Sequence, residues 1–169
     1  MTNDLLFVKR EAVFSPDHRH RYLFSRTWAE GNPLYFVMLN PSTADENGDD
    51  PTILSCTRLA VRSGYAGIKV LNLFAIVSTD PHKLTTESDA VGADNDRYLR
   101  EAAGKAEHIV VAWGNFIIPY HLTDRVTAVL EIFKNRNLYC FGKTESGQPR
   151  HPLYIPRVQP LELWKEKEI

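Results

Sequence analysis

The sequence predicts an α/β fold: a three-layer α/β/α sandwich around a central four-stranded, mostly parallel sheet, with an N-terminal strand or hairpin added. Two observations predict it. Four short apolar runs stand apart along the chain, at residues 34–39, 68–71, 108–112 and 138–141. They are close to continuous rather than alternating, as expected for strands covered on both faces. The stretches between them carry helix-start signals or apolar residues at helical spacing, and such alternation implies parallel strands joined by right-handed crossovers.

Taken in order, Arg21-Tyr22-Leu23-Phe24-Ser25-Arg26-Thr27-Trp28 alternates in places and ends near the turn signal Gly31-Asn32-Pro33. It reads as a strand on a hairpin with residues 34–39, or packed beside them. Asp50-Pro51 then starts a helix, because Asp is a favoured N-cap and Pro is tolerated at the first helical position. That helix runs to about Ser63 and stops at Gly64. The second buried strand leads into Asn72-Leu73-Phe74, and Asp80-Pro81 repeats the helix-start signal within a long connection. Val91, Asn95, Tyr98, Leu99 and Ala102 mark one face of the next helix. The third strand ends at Trp113-Gly114, and Leu122, Val126, Val129, Leu130 and Phe133 follow at helical spacing. Gly142 closes the fourth strand.

The bulk properties narrow the functional classes. With 169 residues, no repeat and no linker, the chain reads as one domain over 1–169. Apolar content of 43% and charged content of 24% are those of a globular protein rather than a disordered one. The apolar runs are too short to cross a bilayer, so no membrane partner is expected. Met1-Thr2-Asn3-Asp4 lacks a basic leader region, and Leu5-Leu6-Phe7-Val8 is cut off by Lys9-Arg10-Glu11, which is unlike a signal peptide. Cys56 and Cys140 have neither disulfide-framework nor metal-ligand spacing and read as buried small hydrophobes. A cytoplasmic location follows. A net charge of -1 argues against a surface coated for non-specific nucleic-acid binding. His18-Arg19-His20-Arg21 and residues 143–150 leave room for a local basic face.

In doubly wound sheets, ligands sit outside the carboxyl ends of the strands, near the point where strand order reverses. Polar residues just past each strand are therefore the candidates. Pro41 forces the chain out of the sheet, and Asn40, Ser42, Thr43 and Asp45 crowd polar groups onto the loop behind it. Local capping is the plain alternative, but Asp50 already fills that role. Asn72 offers donors and an acceptor at a strand end, either to read a heterocycle edge or to satisfy a turn. Gly114 permits close approach of a backbone or ligand, and Trp113 beside it is more often core than platform. Lys143 opens the loop that leads to Arg150-His151-Pro152. There Pro149 and Pro152 brace His151 beside Arg150, and a stiff frame lowers the reorganisation needed when charge develops on a ligand. No P-loop, G-x-G-x-x-G, G-x-S-x-G or H-E-x-x-H is present, and neither cofactor nor metal is expected.

The motifs Asn40-Pro41-Ser42-Thr43-Ala44-Asp45, Asp50-Pro51-Thr52, Asn72-Leu73-Phe74, Thr79-Asp80-Pro81, Ala112-Trp113-Gly114 and Gly147-Gln148-Pro149-Arg150-His151-Pro152-Leu153-Tyr154 occur in one order from Arg21 onward. The set resembles a widespread bacterial and phage family of uncharacterised function. More distantly, it is similar to the uracil-DNA glycosylase superfamily, which implies a parallel-sheet α/β/α sandwich. In that resemblance Asn40-Pro41 matches the pair that positions the attacking water in the mismatch-specific branch. Asn72 corresponds to the base-reading asparagine, Trp113-Gly114 to a strand end, and His151-Pro152 to the loop whose histidine stabilises the departing base. The chain departs from the pattern where Asn40 replaces the water-activating Asp of the uracil-specific branch, and where Leu153-Tyr154 follows His-Pro. No iron–sulfur cysteine cluster is present.

The expectation is an N-glycosidic bond hydrolase of that type, releasing a base, modified or not, from DNA or a nucleotide. Asn40, Asp45 and His151 are the catalytic candidates: Asn40 holds water, Asp45 accepts its proton, and His151 with Arg150 stabilises the anionic base. Pro41, Ser42, Thr43, Asn72, Phe74, Trp113, Gly114, Lys143 and Arg150 are the candidates for substrate binding. The rival expectation is a non-catalytic module that binds a nucleotide or modified base in the same pocket.

Overall fold

The computed structural model describes residues 9–169. The leader-peptide reading of Met1 to Val8 lies outside the described residues. The fold is mixed α/β, with a seven-stranded sheet and four helices rather than a sheet of four strands. Its strands are β1 (Lys9–Phe14), β2 (Arg21–Thr27), β3 (Pro33–Met38), β4 (Gly67–Asn72), β5 (Ile109–Val111), β6 (Leu138–Cys140) and β7 (Glu162–Lys165). Their order across the sheet is β1-β2-β4-β3-β5-β6-β7. The neighbours β4/β3, β3/β5 and β5/β6 are parallel, while β1/β2, β2/β4 and β6/β7 are antiparallel.

Two sequence expectations are corrected. The strand over Arg21–Thr27 does not pair with β3; its partners are β1 and β4, with Phe24 opposite Val70 and Thr27 opposite Gly67. The sheet also extends at both edges. Neither edge strand was readable, because β1 and β7 are largely solvated and carry charged residues, Lys9-Arg10-Glu11 in one and Glu162 and Lys165 in the other. Charged edge strands of this kind resist pairing with other chains, and the same charges hide them from an apolar-run search.

The helices are α1 (Pro51–Arg62), α2 (Lys83–Thr86), α3 (Asn95–Lys105) and α4 (Thr123–Ile132). At the start of α1, Asp50 accepts the Ile53 amide at 2.9 Å, and Pro51 stands at the first helical position. At its end the chain turns through Gly64 at φ +85°, a conformation glycine adopts without a side-chain penalty. The second Asp-Pro signal yields less: Asp80 caps the His82 amide at 3.0 Å, and only the four residues of α2 follow.

Strand alternation divides the core. Leu34, Phe36 and Met38 of β3 face one way and pack with Ile53, Cys56, Leu59 and Ala60 of α1. Tyr35 and Val37 face the other way, towards Leu99 and Ala102 of α3 and Val126 and Val129 of α4. Helices therefore cover both faces. Both cysteines are buried, and burial pushes their thiols up, Cys140 to about 11, which leaves neither as a nucleophile. No helix among the described residues is long and apolar enough to cross a membrane.

Candidate active site

Strand order reverses between β3 and β5, and a cleft of about 660 Å³ opens at their carboxyl ends. Its wall comes from the end of β3 (Met38 to Ser42), the start of α1 (Asp50, Thr52, Ile53) and the chain after β5 (Trp113 to Phe116). The loops after β4 and β6 complete it, with Ser78 and Thr79 from one and Arg150 and His151 from the other.

Asn40 stitches two of these loops together. Its amide nitrogen donates to the carbonyls of Ser78 at 2.8 Å, Pro41 at 3.1 Å and Ile76 at 3.4 Å. Three carbonyl partners identify that end as the NH2 group. Its Oδ1 is left without a hydrogen bond among the described residues, on a residue that lines the cleft. Ser42 donates from Oγ to Asp50 Oδ2 at 2.9 Å. The Asn40 loop is thereby tied to the cap of α1.

The opposing loop is a small hairpin closed by the bridge between Lys143 and Pro149. Its hydroxyls from Thr144 and Ser146 donate to Asn115 Oδ1 at 2.7 and 2.8 Å, and Arg150 Nε donates to the Lys143 carbonyl at 3.1 Å. Gly114, at φ +72°, lies so close that a Cβ there would stand 3.3 Å from the Cβ of His151. His151 Nδ1 accepts the backbone amide of Leu153 at 3.2 Å. In the neutral ring the proton then sits on Nε2, which becomes the free donor. Burial lowers the His151 pKa, with the Asp50 charge opposing, so the neutral tautomer dominates near pH 7.

The structure brings together Asn40, Pro41, Ser42, Trp113, Gly114, Arg150 and His151 on one cleft. Five other sequence candidates lie off its wall. Asp45 accepts the amides of Asn47 and Gly48 on Oδ1 at 2.8 and 2.9 Å, closing a local turn. Thr43 and Lys143 are exposed. Phe74 is a core residue packed on the α3/α4 face. Asn72 is 1% exposed, next to Met38 in register, and neither of its amide atoms has a hydrogen-bond partner among the described residues. The carbonyls of Asn72 and Leu73 are served by Asn95 Nδ2 at 3.0 and 3.2 Å, and Leu73 also by Arg125. In the basic stretch near His18, Arg19 pairs with Asp89 at 3.1 Å and Glu87 at 3.6 Å, whereas Arg21 reaches the cleft wall.

Sequence reasoning missed Arg21, Thr52, Ser78, Thr79 and Phe116 on the wall, and assigned Asp50 only to capping; Asn115, a polar residue just past the third strand, does line it. Among the described residues, no group of three or more His, Cys, Asp or Glu side chains is placed to hold a metal ion. A family model described as a protein of unknown function, DUF1643, matches residues 21–153. Neither the curated proteins nor the solved structures give a match.

Proposed function

We propose that this chain, which belongs to the DUF1643 family, is an N-glycosidic bond hydrolase of the uracil-DNA glycosylase type, releasing a base from DNA or a nucleotide. The observation that carries the reading is the pairing of an Asn40 Oδ1 left free to hold water with a neutral His151 donor on the same cleft. The cleft at the switch point of the parallel strands β4-β3-β5-β6 supports the reading, because ligands sit at such points in doubly wound sheets.

In this reading the bond from the sugar C1′ to the base nitrogen breaks with its electron pair passing to the base. The Nε2–H of His151 meets the charge that develops there, and Arg150 adds a positive field. Water held on Asn40 Oδ1 forms the new C1′–O bond. It gives its proton to solvent or to Asp50, the one carboxylate on the wall. A strong base is dispensable when the sugar already carries oxocarbenium character, because the electrophile is then reactive towards water itself. A duplex substrate would have to flip its base into the cleft first.

The test is incubation with duplex and single-stranded oligonucleotides carrying uracil, mismatched or hypermodified bases, and with free nucleosides and nucleotides. Release is read as abasic-site cleavage and as free base. Release from one class is expected, with Asn40→Ala and His151→Gln each lowering the rate about 100-fold, the usual loss for one positioned polar group. No release from any of them would sink the reading. A specific observation favours a second one, a non-catalytic binding module: Asp45 is engaged in its own turn and lies off the cleft. Binding of a nucleotide without turnover would select it.

A further inference from the structure

Two arginines are buried, both on β2. Arg26 has its counter-ion, Asp49, at 2.8 Å. Arg21 is 2% exposed, lines the cleft, and forms no ion pair within 4.0 Å among the described residues. Its Nη1 donates to the Ala44 carbonyl at 2.8 Å, and its Nε is buried without an acceptor. Among the acidic side chains, Asp50 exerts the largest favourable charge effect on it, but its oxygens serve Ser42 and Ile53. The Phe24 ring centroid lies 4.9 Å from the guanidinium carbon, but a buried cation without a counter-ion remains costly, and a ligand in the cleft is placed to supply one.

We propose that Arg21 is the charge anchor of the cleft, and that the ligand presents an oxyanion group to it. This rests on the reading of the cleft as a site for a nucleoside-class ligand. It adds that the ligand is acidic beyond its base and sugar. The guanidinium fork suits two coplanar acceptor oxygens, as a phosphate or a carboxylate offers. The oxyanion has two sources, a phosphate on the sugar or a carboxylate on the base. With Arg21 and Arg150 against Asp50, the wall holds one net positive charge when His151 is neutral.

Equilibrium titration separates these cases without turnover. Uridine, uridine 5′-monophosphate and 5-carboxyuridine are the probes, and inorganic phosphate is added separately while the Arg21 Nε–H resonance is followed. At least one charged probe should bind about tenfold or more tightly than uridine, and the better of the two identifies the source. Arg21→Gln should abolish the preference, and Arg21→Lys should keep its direction at reduced size. Equal binding of charged and neutral probes, or a preference unchanged in Arg21→Gln, overturns the proposal. If the Gln variant does not fold, the wild-type preference and the Lys variant decide it: no preference in the first, or an unreduced one in the second, overturns the anchor. Phosphate that leaves the Arg21 resonance unmoved, with the charged probes bound no better than uridine, overturns it as well. A protein that binds the acidic probes and releases no base would retain the anchor and lose the hydrolase.

Discussion

At the residue scale, the chemistry rests on how neighbours assign each polar atom. His151 acts as a neutral donor because the Leu153 amide occupies Nδ1 and burial disfavours the charged ring. Nitrogen chemical shifts at pH 7 should show a protonated Nε2, with titration below the ordinary value of about 6.5. The linkage to stability has a definite sign. In the window between the unfolded value and the lower folded one, the unfolded chain binds more protons. Stability from this group is therefore full above about 6.5, falls as pH drops through the window, and levels off below the folded value. Urea unfolding from pH 7.5 to 5 should lose this component in His151→Asn. Asp45 provides the contrast. Its carboxylate stabilises a turn rather than facing the cleft, so Asp45→Ala should cost roughly 1 kcal/mol of stability. Base release should stay within about threefold of wild type. A hundredfold loss there would restore Asp45 as the proton acceptor. The Asn-Pro and Arg-His-Pro runs were readable as candidates, but the fate of each lone pair was not, since it depends on partners such as Ser78, which lies 38 positions from Asn40.

At the element scale, the start of α1 joins helix capping to the cleft. Asp50 holds the Ile53 amide with one oxygen and the Ser42 hydroxyl with the other. Asp50→Ala should cost about 1 kcal/mol, the usual loss of an N-cap, and should also loosen the Asn40 loop. Ser42→Ala should leave the cap intact. Comparing urea midpoints with probe affinity in the two variants separates these effects. Glycines at strand and helix ends report the same geometry. A Cβ at Gly64 would meet nothing within 4 Å, so Gly64→Ala bears only the left-handed backbone penalty of about 1–2 kcal/mol. A Cβ at Gly67 would stand 2.5 Å from the Arg26 carbonyl oxygen, so Gly67→Ala must push β2 from β4 and should lower the midpoint further. If Gly67→Ala proves the milder change, the pairing of β2 with β4 is wrong. The helix signals around Asp50-Pro51 and Gly64 were legible because capping is local. The repeat at Asp80-Pro81 yielded four residues of helix, since a start signal does not supply an apolar face to bury.

At the scale of the whole molecule, the edge strand β7 supports the cleft from outside it. Trp164 meets Trp113 edge-on at 5.3 Å between ring centroids, and its Nε1 donates to the Gly147 carbonyl at 3.3 Å. Trp113 in turn donates to Gln148 Oε1 at 3.1 Å, so the loop carrying Arg150 and His151 is held from two sides. Trp164→Ala should destabilise the fold by roughly 2 kcal/mol, below the loss for a fully buried aromatic. It should also weaken probe binding although Trp164 is absent from the wall. Unchanged affinity would show that the loop stands without β7.

The amino-acid sequence by itself determined the apolar strands β3 to β6, the bounds of α1, the helical faces of α3 and α4, and which strand ends carry polar groups. These follow from side-chain period, capping chemistry and backbone restrictions, all of which act over a few residues. Only the tertiary structure decided that β2 lies beside β4 rather than β3, that Asn72 and Phe74 are buried away from the wall, and that Arg21 forms no ion pair among the described residues. Each of those depends on long-range packing across a mixed sheet, where the free energy of burial is settled by neighbours that no local window of the chain contains.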